Sequence, residues 1–307
     1  MVLDEEHLYW SMSDGSLWQG DHEGRQSPER LVQQTNSAGT LAVDTEHLYW
    51  TNVGKIVAYE KATRATHDLP MGRPYLAPRI ILDEQNVYVL EVGCRSMGIV
   101  PKNGDAADLL DLPSGSMGSV SAAAQDADYV YCGNYTSSGA NGTQSPSVYR
   151  RGKRGGPAER VATFDELDRN INPQIYALAN IRGALHVAIG SKNATTGLSE
   201  HSLFSVPAAG GAKARVVGPI TRALQADGMV CDDALETCYY WSLPGVLLMA
   251  YDVRNARVLG ADNGIAASGS GPVQDAHALY WPALDGVYRQ DKLSRPSASA
   301  AGFGNAP

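Results

Sequence analysis

One short pattern recurs along the chain at a nearly constant interval, and this recurrence constrains the fold more than any other feature. Each copy is an apolar run that ends in aspartate, followed by a few variable residues and an apolar segment with an aromatic residue. The first aromatic residues, with successive gaps of 40, 39, 43, 109 and 40 residues, are Tyr9, Tyr49, Tyr88, Tyr131, Tyr240 and Tyr280. A degraded copy, IYALANIRGALHVAIG at 175–190, lies inside the long gap and has His186 in the aromatic position. The chain therefore contains seven repeat units, two of them enlarged.

Each unit predicts four short β-strands. The apolar run is typical of a buried strand, and the aspartate that ends it can accept hydrogen bonds from backbone N–H groups and so close a corner. A third and a fourth strand follow, as in KIVAYEKA (55–62) and ERVATF (159–164). Glycine and proline interrupt the chain at turn spacing, and no long helical periodicity is present. Four strands in about 40 residues match one propeller blade, so we expect an all-β fold, a seven-bladed β-propeller of four-stranded antiparallel blades.

Two stretches carry a resemblance to a known family. The first is the second repeat unit, in which the matching residues are Val43, Asp44, Leu48, Tyr49, Trp50, Thr51 and Asn52. The second contains Val206, Pro207, Gly210 and Gly211. Together they resemble the YWTD-type and TolB-like β-propeller repeats, in particular those of secreted or lipoprotein-like bacterial proteins. The resemblance covers about residues 1–292 and is weakest in the fifth unit. It implies the fold but not an activity, because propellers include hydrolases, lyases, receptors and scaffolds.

The repeats place a single propeller at 1–292 and a disordered tail at 293–307. The expected blades are 1–36, 37–76, 77–116, 117–170, 171–224, 225–268 and 269–292. Met1 lies inside the first strand of the pattern, so we expect that an N-terminal segment, such as an export signal, is absent from this chain. For the same reason we expect the closing blade to be incomplete, with three strands.

The charge pattern excludes one class of partner. The net charge is -8, and basic residues cluster only in RRGKRGG at 150–156, which suits an exposed turn between two outer strands. A nucleic-acid binder needs a basic face, so we exclude that class. No apolar run reaches the ~20 residues of a membrane-spanning helix. The preference for arginine over lysine and the abundance of alanine and glycine indicate a GC-rich bacterial genome.

The four cysteines divide into two pairs. Cys231 and Cys238 flank DDALET on adjacent strands of one hairpin, where they would face each other closely enough for a disulfide, or remain two buried thiols. Such a disulfide would suit an oxidising, extracytoplasmic location such as the periplasm, the cell surface or the medium. We expect Cys94 and Cys132, in neighbouring units, to be buried single thiols.

The sequence predicts no metal site and no cofactor. The seven histidines lack a metal-binding spacing, and no nucleophile motif or phosphate-binding loop is present. The repeated aspartates would suit a cation if they formed a ring in a central channel, whereas as corner caps they need no ion. We favour caps for this set, which comprises Asp4, Asp44, Asp83, Asp126, Asp275 and either Asp232 or Asp233.

The insertions predict a binding surface. In the blade order, 133–147 and 190–201 are loops between second and third strands, and 164–174 and 218–227 connect one blade to the next. All four therefore lie on one face above two adjacent blades, where long loops commonly bind ligands. Their polar side chains suit a neutral polar ligand, or they are solvated loops without one. The candidate contact residues are Asn134, Tyr135, Asn141, Asn172, Gln174, Asn193, Arg222 and Gln225.

Two functions of different classes remain open, besides a purely structural role. We favour an exported, non-catalytic binding module that recognises a protein or glycan partner through the enlarged face. The alternative is a cation-dependent propeller enzyme, of the lyase or lactonase type, with its site at the channel mouth. The candidate residues for this enzyme are His186, Glu200, His201 and Asp227.

Overall fold

Short antiparallel strands form seven separate sheets, one from each repeat unit. The architecture comes from a computed structural model. The described residues are 1–12, 14–33, 40–52, 54–71, 79–91, 96–110, 120–134, 145–167, 171–221, 229–242, 247–255, 257–263, 272–283 and 286–292. The predicted tail, 293–307, lies outside them, so its disorder stays a prediction.

The strands pair in chain order within each sheet. Blades 1 and 2 contain β1 Val2–Leu3, β2 His7–Ser11, β3 Leu17–Asp21, β4 Glu29–Val32, β5 Leu41–Val43, β6 His47–Asn52, β7 Lys55–Glu60 and β8 Thr66–Leu69. Blades 3 and 4 contain β9 Arg79–Leu82, β10 Asn86–Glu91, β11 Ser96–Pro101, β12 Asp108–Leu110, β13 Val120–Gln125, β14 Tyr129–Asn134, β15 Ser147–Gly152 and β16 Glu159–Thr163. Blades 5 and 6 contain β17 Ile171–Ile181, β18 Ala184–Lys192, β19 Ser199–Pro207, β20 Ala214–Thr221, β21 Met229–Asp232, β22 Thr237–Ser242, β23 Leu247–Asp252 and β24 Arg257–Asn263.

Blade 7 contains β25 Val273–Gln274, β26 Ala278–Ala283 and β27 Gly286–Asp291, so its described part has three strands. The helical content of the described ranges is one 3-10 turn, Asp165–Leu167, ahead of blade 5. None of the described helical structure is long and apolar enough to cross a membrane.

The blades form a closed ring. The innermost strand β1 contacts β5 on one side and β25 on the other, which makes the first and last blades neighbours. The apolar core lies between blades: Tyr9 and Leu17 of blade 1 pack against Trp50 and Val57 of blade 2, and similar clusters join other adjacent blades. Hydrophobic burial therefore stabilises the contacts between sheets. The fold is the expected seven-bladed β-propeller.

The corner aspartates act as caps. In blade 1, Asp4 Oδ1 accepts hydrogen bonds from the backbone N–H of Glu6 at 2.9 Å and of His7 at 2.8 Å, and Oδ2 accepts one from the Tyr9 hydroxyl at 2.9 Å. The same three contacts recur around Asp44, Asp83, Asp126 and Asp275. Each of these aspartates thus ties the first corner of its blade to the tyrosine five residues later.

A cation from the following blade completes this arrangement, which we call the corner latch: the aspartate, its tyrosine and the cation. Lys61 Nζ of blade 2 lies 2.5 Å from Asp4 Oδ2 and 5.4 Å above the Tyr9 ring. Burial alone would raise the pKa of Asp4, but hydrogen bonds from Lys61, the corner backbone and Tyr9 outweigh it and lower this pKa to about 2. The latch therefore joins neighbouring blades through a carboxylate that stays ionised.

The latch is repeated around much of the ring. Lys102 Nζ of blade 3 lies 2.6 Å from Asp44 Oδ2. A further latch pairs Lys153 of blade 4 with Asp83 at 3.9 Å. Lys292 of blade 7 binds Asp232 in the equivalent way, but the residue five positions after Asp232 is Thr237 and not tyrosine.

Blade 5 departs from this pattern at its junction with blade 6. Its corner has Ile181 where the other units have aspartate, and Arg182 follows with a positive φ of 51°. The guanidinium of Arg182 binds Glu236 of blade 6, and Arg254 of blade 6 also binds it, with Nε at 2.5 Å from Oε2. Glu236 is buried. Between blades 5 and 6 the carboxylate thus comes from the later blade and one cation from the earlier, which reverses the charge order of the latch.

Strand register corrects one assignment in blade 6. The N–H of Val253 bonds to the carbonyl of Glu236, just as the N–H of Lys61 bonds to that of Glu46. Glu236 is therefore equivalent to Glu46, and Tyr239, not Tyr240, occupies the aromatic position of this unit. The 40-residue spacing of the repeats placed this position at Tyr240 because the corner after Asp232 is two residues longer than the corner after Asp44.

Disulfide bonding corrects another expectation. Cys231 and Cys238 lie opposite each other in the β21–β22 pair and form a disulfide, with their Cα atoms 4.0 Å apart. Cys132 is also disulfide-bonded, to a partner outside the described residues, so the expectation of a buried single thiol at this position is wrong. Cys94 lies outside the described residues, so the expectation for that cysteine stays a prediction.

The cap model leads to a direct test. Asp126→Ala should lower the free energy of unfolding by about 2 kcal/mol, because it leaves the backbone N–H groups of Asp128 and Tyr129 and the Tyr131 hydroxyl without their acceptor. Urea denaturation at pH 7 measures this loss. Asp128→Ala, which truncates an exposed side chain at the same corner, is the matched control and should change stability by less than about 0.5 kcal/mol. Equal effects of the two substitutions would contradict the capping role.

Candidate binding face

The strand order defines two faces of the propeller. Corners between first and second strands, and between third and fourth strands, lie on one face, which we call the corner face. Loops between second and third strands, and the connections between blades, lie on the opposite face, which we call the loop face. The corner latches occupy the corner face. The predicted contact residues that the structure describes, Asn134, Asn172, Gln174 and Asn193, belong to the loop face.

Blade 5 projects further on the loop face than its neighbours. Strands β18 and β19 have nine residues each, whereas the second and third strands of the other blades have five or six. Ala184 pairs with Pro207 at the corner end, so the extra residues extend the loop-face end, by about 10 Å for three residues. Much of 190–201, expected as a loop, is therefore strand. Likewise 171–174 and 218–221, expected within connections, belong to β17 and β20.

The tip of this hairpin, Asn193–Leu198, is organised by one side chain. Asn193 Oδ1 accepts hydrogen bonds from the N–H of Thr195 at 2.9 Å and of Thr196 at 3.0 Å, and Nδ2 donates to Glu200 Oε1 at 2.8 Å. The backbone closes the turn, since the N–H of Asn193 bonds to the carbonyl of Leu198 at 2.8 Å. Gly197 supplies the positive φ of 69° that the turn requires. The tip is thus a defined turn and not a long loop.

Leu198 is the apolar feature of the tip. Its exposed fraction is 54%, the largest among the exposed bulky hydrophobic residues of the described chain. The predicted contact set included Asn193 but missed Leu198, because a single leucine in a polar segment carries no sequence signal of exposure. By contrast, the order Asn-Ala-Thr-Thr-Gly at 193–197 is typical of a turn, so the turn could have been predicted from the sequence.

Only part of the predicted contact set falls within the described chain. Gln174 lies in β17, half-buried and opposite Gly190 of β18, and Asn193 lies at the hairpin tip, so both belong to the loop-face end of blade 5. Asn134 ends β14, and Asn172 lies in β17, with their side chains not described. Tyr135, Asn141, Arg222 and Gln225 lie outside the described residues. Whether this set forms one contact surface stays a prediction.

Glycines allow close packing at this end of blade 5. A Cβ at Gly190 would lie 2.5 Å from Cε2 of Tyr176, and a Cβ at Gly133 of blade 4 would lie 2.5 Å from Cγ2 of Ile175. β17 therefore packs closely against both β18 and β14. These contacts support the projecting hairpin from the side of blade 4.

The residues proposed for an enzyme do not converge where they are described. His186 pairs with Ser205, and His201 pairs with Gly190, so the two histidines are four rows apart along β18 and β19, or about 13 Å. Glu200 adjoins His201 in the strand, so their side chains point to opposite faces of the sheet, and Glu200 is bonded to Asn193. Asp227 lies outside the described residues. Within the described ranges, no group of three or more histidine, cysteine, aspartate or glutamate side chains is placed to hold a metal ion.

His186 occupies the aromatic position of blade 5, as its place in the degraded repeat predicts. It is 1% exposed, and neither ring nitrogen has a hydrogen-bond partner among the described residues. The residue five positions earlier is Ile181, so both the tyrosine and the aspartate of the corner latch are replaced in the same blade. Burial lowers the pKa of His186 to about 4, and it lowers that of His201 to about 4 as well.

A shallow groove of about 410 Å³ separates the outer edges of blades 4 and 5. Lys213, on its blade 5 side, donates to the carbonyl of Thr163 and lies 2.7 Å from Glu166. This lysine therefore ties the two blades together. The other lining residues are Arg160, Val161, Ala162, Asp165, Gly211 and Ala212.

Comparison with known proteins supports the fold and goes no further. No protein-family model and no curated protein matches the sequence. Among solved structures, a chain of the Kuenenia stuttgartiensis hydrazine synthase is similar, with a TM-score of 0.64, 13% identity and coverage of 95% of this chain and 94% of the other. The computationally designed Ika8 protein is similar with a TM-score of 0.61 and 12% identity, and the match covers 94% of this chain and 94% of the other. A chain of the nidogen/laminin complex is similar with a TM-score of 0.56 and 13% identity, and the match covers 84% of this chain and 93% of the other.

The buried histidines predict a pH dependence of stability. Their pKa values are lowered in the folded state, so between about pH 6.5 and pH 4 the unfolded chain binds protons that the folded chain does not. The free energy of unfolding should therefore be highest above pH 6.5 and decrease as the pH falls, by at most about 3 kcal/mol for each histidine. Thermal unfolding followed between pH 4.5 and 7.5 measures the trend.

A substitution separates this contribution from the general effect of acid. His186→Phe should flatten part of the decrease, because it removes the group that must be protonated on unfolding. His277→Gln changes an exposed histidine and should leave the profile unchanged. If His186→Phe follows the wild-type pH profile, buried His186 does not contribute to the acid sensitivity.

Proposed function

We propose that this protein is an exported binding module that recognises a protein or glycan partner through the loop face, with the projecting hairpin of blade 5 at the centre of the contact. The observation that carries the proposal is the shape of blade 5. Its two middle strands extend beyond those of the other blades and end in a hydrogen-bonded turn that exposes Leu198. We also propose that its repeats are of the YWTD type or the TolB-like type.

The physical features of the hairpin support recognition. A turn held by Asn193 keeps its shape without a partner, so binding costs little conformational entropy. Exposed Leu198 shares the hairpin tip with the exposed residues Thr195 and Thr196, which offers one apolar anchor with hydrogen-bonding groups nearby, as in the centre of many interfaces. A structural neighbour that forms part of a complex, the nidogen/laminin chain, is consistent with a propeller used for binding.

The disulfides support the exported location that we propose. Cys231–Cys238 and the disulfide of Cys132 are both formed, and structural disulfides persist in oxidising compartments. The periplasm, cell surface or medium of a bacterium would provide such conditions.

The binding proposal is tested with paired substitutions on arrays of glycans and peptides. Leu198→Asp should reduce the affinity for the array ligands that the wild-type protein binds by at least about tenfold, because it places a charge at the apolar anchor. Met12→Asp is the matched control: Met12 is 49% exposed and lies in a loop of blade 1, on the same face but away from blade 5. It should leave affinity within about twofold, the change expected away from a hot spot.

Two outcomes would count against the proposal. If the wild-type protein binds nothing on either array, recognition of a protein or glycan loses its support. If binding occurs but Leu198→Asp and Met12→Asp affect it equally, the hairpin is not the contact site.

The exported location has its own test. Protein recovered from its native compartment and treated with a maleimide mass tag without reductant should show no added mass, and it should gain four tags after reduction, one for each cysteine. Tagging of untreated protein at several cysteines would show a reducing location and contradict the proposal.

A further inference from the structure

The latch at the junction of the last and first blades differs chemically from the others. Here the corner aspartate is Asp275 of blade 7, and the residue that faces it from blade 1 is His22, with Nδ1 at 3.3 Å from Asp275 Oδ2. His22 follows the last residue of β3, as Lys61 follows the last residue of β7. The histidine therefore occupies the lysine position of the latch at the one interface that closes the ring in sequence.

The surroundings of His22 make its charge matter. Its side chain is 14% exposed and that of Asp275 is 20% exposed, so water screens the pair only in part. The ring of His22 lies 5.4 Å from that of Tyr280, whose hydroxyl donates to Asp275 Oδ2 at 2.6 Å. Nε2 of His22 is buried without a hydrogen-bond partner among the described residues. Asp275 is thus the nearby group with which a protonated His22 gains an ion pair.

We propose that the junction between blades 7 and 1 is a pH-sensitive closure, strengthened in mildly acidic solution by charge pairing between His22 and Asp275 and weakened at alkaline pH. An alkylammonium group keeps its charge from pH 5 to pH 8, whereas an imidazole group changes its charge within this range. The strength of this junction therefore follows the pH, whereas that of the described lysine latches does not.

The remaining charged groups at the junction do not replace this dependence. From blade 7, Arg289 interacts with Tyr280 and Asp275 and pairs with Asp291 at 2.8 Å, but its charge is constant. From blade 1, the charged neighbours in sequence and at the paired corner are Glu6, His7, Asp21, Glu23 and Arg25. Asp21 accepts backbone hydrogen bonds of its own corner, Glu23 pairs with Arg25, and His7 lies 3.9 Å from Glu6.

Met1 contributes a further titratable group to this junction. Met1 packs against the cluster of Leu8, Ala278 and Tyr280, and burial lowers the pKa of its amino group to about 6. A test of the closure must therefore isolate the pair between His22 and Asp275 from this amino group and from the buried histidines of blade 5.

A double-mutant cycle achieves this isolation. His22→Gln, Asp275→Asn and the double variant are compared with the wild type by urea denaturation at pH 5.5 and pH 8.0. We expect the coupling between His22 and Asp275 to change the unfolding equilibrium constant by about fivefold at pH 5.5, because the ion pair is partly buried. At pH 8.0 the change should be less than about twofold. The cycle of Lys61→Gln and Asp4→Asn is the matched control, and its coupling should be the same at both pH values.

A gain-of-charge variant provides an independent readout. His22→Lys introduces the residue of the other latches, so its coupling with Asp275 should be equal at the two pH values. Amide hydrogen exchange of β26 is measured for the wild type and for this variant at each pH. The ratio of wild-type protection to variant protection should be greater at pH 5.5 than at pH 8.0. Equal His22–Asp275 coupling at pH 5.5 and pH 8.0 would overturn the proposal, and so would a pH-dependent coupling that persists in His22→Lys.

Discussion

The carboxylate of the corner aspartate is the constraint on which much of this ring depends. In a single blade it caps two backbone N–H groups and accepts the hydroxyl of a buried tyrosine, so it fixes both the corner and the packing side chain behind it. Because one lone-pair direction of the same carboxylate remains for the next blade, it also fixes the distance between sheets. Hydrophobic burial between blades would allow sliding, and the directional contacts of the latch oppose it.

The repeat made much of this fold predictable. An aspartate at the end of an apolar run and a tyrosine five residues later are visible in the printed sequence. The aspartate caps the corner and the tyrosine is buried between blades, as expected, whereas the hydrogen bond that joins them was not predicted. The cysteine hairpin was predictable for the same reason, because the corner between Cys231 and Cys238 sets their register. Local hydrogen bonding and strand alternation were sufficient for these features.

Features that depend on contacts between units were not predictable. Lys61 lies 57 residues from Asp4, and nothing near either residue indicates the pairing. The disulfide of Cys132 was also missed, because the position of this cysteine in the repeat predicts its burial but not its bonding. The extension of blade 5 was detected as added length but assigned to loops, because polar residues such as Ser191 and Lys192 can occupy the solvent-exposed end of a strand as well as a loop. The proposed contact surface therefore changes from long loops to a hairpin with a defined tip.

The reversed pair between Arg182 and Glu236 has a consequence for assembly. The apolar faces of the seven sheets resemble one another, so hydrophobic burial alone does not distinguish one neighbour from another. At the junction of blades 5 and 6 the charge order is opposite to that of the aspartate–lysine junctions, and buried Glu236 lies between a guanidinium from each blade. A corner with a carboxylate in the place of Arg182 would bring a like charge to Glu236, so the reversed pair favours blade 5 as the partner of blade 6.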